Sequence, residues 1–376
     1  MFRYLFLLLS SLPLSADNLI DQQLPDFYQQ LIPQKYPLSW QSGNYSDIAK
    51  WRSDGRALLR SALLWPDDTA VNTAIAATLI KTEQRSGYQA QLWQVQLTAY
   101  SKLPVMVLKP EQTKPVAAVL LLHDHGARFD IGKEKLIKPF ADDTKLVSAA
   151  KWSEKYFSGR FIGDELAKQG YLVVAADTFG WSDRGPINYD AQQALASNMF
   201  LLGRSLAGMA AYEDLQLVAF IRQLQGVDSE RIGVLGFSMG AYRAWQLAAL
   251  TDDVSATVAV AWMNSYRYLM QPGNNMLRGQ SSFYMLHPAL GGQMDIPDVA
   301  ALAAPKPMLL LNGRKDRLMP EAGVRMAYQQ MQQVWQAFGA EQQFTGRIFD
   351  NASHEFNAQQ QDTVYQWLAE QLAPAQ

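Results

Sequence analysis

Glycines stand two places before and two places after a serine in Gly236-Phe237-Ser238-Met239-Gly240. A largely apolar run, Ile232-Gly233-Val234-Leu235, leads into this segment, and an Ala- and Leu-rich stretch leaves it. A serine at a sharp strand-to-helix turn needs small neighbours at both positions, because larger side chains would collide with the strand or the helix. The turn lifts the hydroxyl above the sheet edge and points the free N–H groups of the helix start at a ligand. Ser238 is therefore the candidate nucleophile.

A hydroxyl becomes an effective nucleophile only when a base takes its proton. The chain has four histidines, so the search is short. His354 lies between an apolar segment ending at Phe349 and a helical pattern beginning at Ala358, where a loop opens on the same sheet edge as Ser238. The base needs a carboxylate to fix its tautomer. Asp316 follows the apolar run Leu309-Leu310-Leu311 in a glycine-bearing loop, and Pro320 opens the helix beyond it. Asp350 is too close to His354 in sequence to reach it easily. A tetrahedral intermediate also needs N–H donors. Met239, next after the serine, supplies one; Ala127 supplies the second, with Gly126 as the next choice, from the loop His123-Asp124-His125-Gly126-Ala127. His123 and His125 are expected to shape that loop by hydrogen bonding rather than to bind metal, since no third ligand is evident.

Further candidates carry two readings each. Trp181, Trp262 and Tyr266 follow strand ends, where they either line a substrate cleft or pack. Arg128 and Arg204 either meet an acidic substrate group or pair with carboxylates. Asp177 and His287 read as structural.

The elements that must position these groups follow from periodicity. Residues 17 to about 80 read mostly helical, with apolar residues at helical spacing from Ser46 to Leu64. Alternation in Gln89–Leu97 and Pro104–Leu108 reads as paired strands. From Val116 onward, short apolar strands alternate with longer helices, which implies a mainly parallel sheet covered on both faces. The stretch 263–300 is the least regular and is expected to be an insertion near the site.

Composition narrows the classes. The chain has 376 residues, 48% hydrophobic content and a net charge of −2, with no basic run suited to nucleic acid. It has no cysteine, which excludes disulfides, a thiolate nucleophile and a lipoprotein anchor. Arg3, the apolar run from Tyr4 to Leu14 and the small pair Ser15-Ala16 predict a signal peptide over 1–16 and an exported, periplasmic or secreted protein. The expected organisation is then a helical N-terminal extension over 17–84 and a catalytic domain over 85–376.

At Leu122-His123-Asp124-His125-Gly126, Ile131-Gly132-Lys133-Glu134-Lys135, Ala175 to Gly185, Gly203 to Gly208, the serine turn and Pro297 to Pro305, the sequence resembles the dienelactone hydrolase superfamily of α/β-hydrolases. The resemblance spans roughly 85–374 and is strongest to the secreted, acetyl xylan esterase-like branch. It implies the α/β-hydrolase fold, the chain order serine, acid, histidine, and an ester or lactone hydrolase acting on a small-molecule or carbohydrate ester without a cofactor. The namesake enzymes use cysteine, so Ser238 points to the carboxylesterase and sugar-ester side. Two rivals stay open: a serine peptidase on the same fold, and a non-catalytic exported glycan-binding protein. Oligomeric state is not legible.

Overall fold

The computed structural model describes residues 30–64, 66, 74–271, 280–285, 287 and 289–374. The predicted signal peptide lies outside them. Helix α1 (Ile48–Ala62) is capped by Asp47, whose carboxylate accepts from the N–H groups of Ala49 and Lys50. Three strands follow as an antiparallel meander: β1 (Ala77–Arg85), β2 (Tyr88–Gln96) and β3 (Lys102–Pro110). After these come β4 (Val116–Leu122), α2 (Leu146–Tyr156), α3 (Ile162–Lys168), β5 (Leu172–Ala176), α4 (Tyr189–Leu201) and α5 (Leu206–Gln223). Strand β6 (Val227–Phe237) leads into α6 (Met239–Leu250), and β7 (Ala256–Val260) into the single turn α7 (Tyr266–Leu269). The chain closes with α8 (Ile296–Ala301), β8 (Met308–Gly313), α9 (Glu321–Ala337), β9 (Phe344–Phe349) and α10 (Ala358–Gln371).

All nine strands form one sheet in the order β1-β2-β3-β5-β4-β6-β7-β8-β9. Strands β4 to β9 are parallel, and β3 pairs antiparallel with β5. Parallel strands covered on both faces must be apolar throughout, and β4 (Val-Ala-Ala-Val-Leu-Leu-Leu) meets that need. Its residues alternate between two cores: Ala118, Leu120 and Leu122 face one, and Val119 and Leu121 face the other. This is the predicted α/β-hydrolase fold.

Two expectations need correction. The boundary at residue 85 falls too late, because β1 begins at Ala77 and belongs to the sheet. The N-terminal extension is also not separate. Trp51 and Leu59 of α1 are fully buried in the main core. Gly55 lets α1 approach α8 so closely that a Cβ there would lie 2.5 Å from Leu302. Arg52 and Arg56 bind Asp252 beyond α6, and Ser205 Oγ donates to Leu63 O at 2.6 Å. In the irregular stretch, α8 opens with a reciprocal capping box of Asp295 and Asp298.

Candidate active site

The serine turn lies between β6 and α6, with Ser238 at φ 55° and ψ −121°. A non-glycine residue in that region stores strain, which the surroundings must hold. They do so through the Ser238 N–H, which donates to Val260 O at 2.8 Å, and through Ser238 O, which accepts from Ala241 N–H at 2.8 Å. Both glycines are required. A Cβ on Gly236 would lie 1.9 Å from Gly240 O, and one on Gly240 would lie 1.9 Å from Leu122 O.

The loops after β8 and β9 bring the other two groups in. A Cβ on Gly313 would lie 2.3 Å from Ala352 O, so only glycine lets these two loops cross. The crossing is stitched by Arg314 N–H to Phe349 O at 2.9 Å and Lys315 N–H to Ala352 O at 3.0 Å. Asp316 Oδ1 accepts from the Leu318 N–H at 2.8 Å, and its Oδ2 lies 2.8 Å from His354 Nδ1. His354 Nε2 lies 2.8 Å from Ser238 Oγ. The Asp316 side chain is fully buried, whereas that of His354 is 20% exposed. Phe237 supports the imidazole from beside, with ring centroids 5.3 Å apart. Asp350 points away, paired with Arg314 at 2.9 Å. This arrangement can pass a proton from a serine hydroxyl to an imidazole whose tautomer a buried carboxylate fixes.

The N–H of Met239 opens α6 and has no acceptor within the helix. Across from it, the loop after β4 takes a different form from the one predicted. Gly126 and Ala127 both have positive φ, at 55° and 52°. The Ala127 N–H is already engaged, donating to His125 Nδ1 at 3.1 Å. That bond makes His125 Nε2 the protonated nitrogen, and it donates to Gln192 Oε1 of α4 at 3.1 Å. His123 is pinned in the same way: its Nε2 accepts from the Thr178 N–H at 3.1 Å, and its Nδ1 donates to Asp124 O at 2.9 Å. Burial drives His123 well below its ordinary pKa and His125 down to about 4, so both rings are neutral. All four ring nitrogens are committed within the protein, which is the loop-shaping arrangement expected for them.

Beneath this loop is a buried ionic network. The carboxylates of Glu134, Asp177 and Asp183 lie close enough together to hold a cation. The Lys133 ammonium fills that position, donating to Asp177 at 2.7 Å, Asp183 at 2.6 Å and Glu134 at 3.0 Å. Lys145 joins Asp183 and Glu134 from the side. Asp177 is thus structural, as expected. Sequence reasoning gave the Lys-Glu-Lys run no role beyond a shared motif, since charged runs are ordinarily solvated.

The aromatic candidates resolve towards packing. Trp181 is completely buried among His123, His125, Phe129 and Tyr284, its indole N–H donating to His125 O at 3.3 Å. Trp262 is 4% exposed and packs edge-on to Tyr242. Tyr266 packs against the main core, and its N–H donates to Asp295. As cleft-lining residues Trp181 and Trp262 are therefore corrected, because both rings are held by neighbours within the core; Tyr266 is only half-buried against it. Arg128 pairs with Asp130 at 3.1 Å, and His287 is buried against Tyr242 and Gln246.

Comparison with known proteins agrees with this architecture. The chain is 30% identical to the protein YtaP of Bacillus subtilis (strain 168) over 283 residues, covering 75% of this chain and 87% of YtaP. Among solved structures, a glucuronoyl esterase from Solibacter usitatus superposes with a TM-score of 0.64 at 13% identity, covering 91% of this chain and 99% of that one. Acetyl xylan esterase 1 from Thermoanaerobacterium sp. JW/SL YS485 superposes with a TM-score of 0.52 at 17% identity, covering 93% and 99%. At these identities the two structures speak for the fold alone. A model of the Abhydrolase family matches residues 28–357, nearly the whole of the described chain, and the chain belongs to that family.

Proposed function

We propose that this protein hydrolyses carboxylic esters through a serine-bound acyl intermediate. The observation that carries the reading is the continuous relay from Asp316 through His354 to Ser238, with both links at 2.8 Å. Ser238 Oγ attacks the ester carbonyl while His354 Nε2 takes its proton. Asp316 holds Nδ1–H and stabilises the imidazolium. The Met239 N–H, at the positive end of α6, meets the oxygen as it becomes negative. Collapse expels the alcohol, which takes the proton from His354. Water then repeats the sequence to release the acid and free Ser238.

Sugar esters are the proposed substrate class. The names of the solved relatives, an acetyl xylan esterase and a glucuronoyl esterase, support this choice. Export by way of residues 1–16 would bring the enzyme to such substrates, and no helix among the described residues is long and apolar enough to cross a membrane. The test is a panel of acetylated sugars, uronate methyl esters, short aryl esters and matched amides, run on wild type and Ser238→Ala. Turnover of esters over amides that vanishes in Ser238→Ala supports the reading. Equal turnover in the two proteins removes it.

A further inference from the structure

Lys135 is fully buried, and its ammonium is spent on backbone. It donates to Asp124 O at 2.9 Å and to His125 O at 2.9 Å, with the Asp124 carboxylate more distant at 3.4 Å. The indoles of Trp152 and Trp181 flank it, with centroids at 5.0 and 5.7 Å. Burying an ammonium is expensive, and an apolar side chain of similar volume would often serve packing as well or better. What an apolar side chain cannot do is donate to two carbonyls at once.

Those carbonyls belong to the loop that faces the serine turn. Gly240 of that turn abuts Leu122 O and His123 O, where the loop begins. In a trans peptide, C=O and N–H point in opposite directions. Fixing His125 O, which also accepts from Trp181 Nε1 at 3.3 Å, therefore fixes the N–H of Gly126 pointing away from the buried ammonium. The neighbouring Ala127 N–H is taken by His125, whereas the Gly126 N–H has no acceptor among the described residues. We infer that Lys135 is a positioning residue: by holding the Asp124 and His125 carbonyls it turns the Gly126 N–H to serve, with that of Met239, as the second donor to the oxyanion. The inference rests on the serine-hydrolase reading above.

The test compares wild type, Lys135→Met and the charge-balanced pair Lys135→Met/Asp124→Asn on a soluble ester, with rates divided by the serine sites that a fluorophosphonate titrates. Losing one oxyanion donor lowers kcat by about 10²–10³-fold; misaiming one is expected to lower kcat per site by about 10–100-fold, with KM changed less than about 3-fold. Affinity for a trifluoromethyl ketone, which forms a tetrahedral adduct on serine, should fall by a similar factor. A merely structural lysine would lower the number of titrated sites and leave kcat and ketone affinity per site as in wild type; that result overturns the inference. Should neither variant fold, Trp181→Phe removes the second donor to His125 O, and a severalfold loss of kcat at unchanged KM is expected. Unchanged kcat there overturns it equally. If Ser238→Ala still turns over, the serine reading fails and takes this inference with it. An inert Ser238→Ala beside wild-type kcat per site in Lys135→Met sinks the Lys135 inference alone.

Discussion

The two sets of loops that meet at the sheet edge are held by different physics. Loops after β6, β8 and β9 carry Ser238, Asp316 and His354, and close backbone approaches fix them, with Gly236, Gly240 and Gly313 at the points where any Cβ would collide. Loops after β4 and β5 carry no group of the proton relay. Charge fixes them instead, through the buried Lys133, Glu134, Lys135 and Asp177 and the more exposed Asp183. Steric fit tolerates no added atom but is indifferent to pH. A charge network tolerates small shape changes but depends on every partner being present and ionised. The same edge thus combines a shape-locked half that does the proposed chemistry with a charge-locked half that shapes its surroundings.

Substitutions can break this contrast, the largest effect first. Ser238→Ala should lower kcat by about 10⁴–10⁶-fold while circular dichroism shows an intact fold; steady-state kinetics on an aryl ester checks it. In the charge-locked half, Lys133→Met leaves the buried Asp177 carboxylate without its ion-pair partner, with Lys145 still on Glu134 and Asp183. Breaking such a buried pair costs about 3–5 kcal/mol, read by urea unfolding. In the shape-locked half, Gly240→Ala places a Cβ against Leu122 O and should destabilise by about 3 kcal/mol in the same assay, equally at pH 6 and pH 8.

The smallest effect concerns pH and belongs to the charge-locked half. Burial holds the His125 pKa down to about 4, below its unfolded value. The unfolded chain therefore binds more protons between roughly pH 6.5 and 4. Stability is complete above that window and falls as the pH drops through it, by about 2 kcal/mol for this group between pH 7 and 5. His125→Gln should flatten that part of the curve of unfolding free energy against pH. An unchanged slope would remove His125 from the account.

The shape-locked half was largely legible in the sequence. A glycine–serine–glycine segment after an apolar run has few structural outlets, Asp316 follows another such run, and only four histidines competed for the base. The strand–helix alternation gave the sheet. The charge-locked half was not legible, because a Lys-Glu-Lys run looks the same whether solvated or buried. Nor does sequence say where a ring nitrogen points, which is why Ala127 was the expected donor although His125 takes its N–H. Trp181 and Trp262 sit at strand ends, a place shared by cleft and core residues. Strand β1 was missed because its exposed edge carries Lys81, Thr82, Glu83 and Gln84 without a clean apolar face. Helix α4 was missed because it buries only Gln192 and Ala196 and shows no apolar stripe.

The central claim is that the hydroxyl of Ser238 becomes covalently acylated during turnover. Mixing the protein with p-nitrophenyl acetate, quenching in acid within the first turnover and mapping peptides by mass spectrometry tests it directly. The account predicts a burst of one p-nitrophenolate per chain and a single acetyl group on Ser238. Full turnover with no burst and no acetylated serine would contradict it.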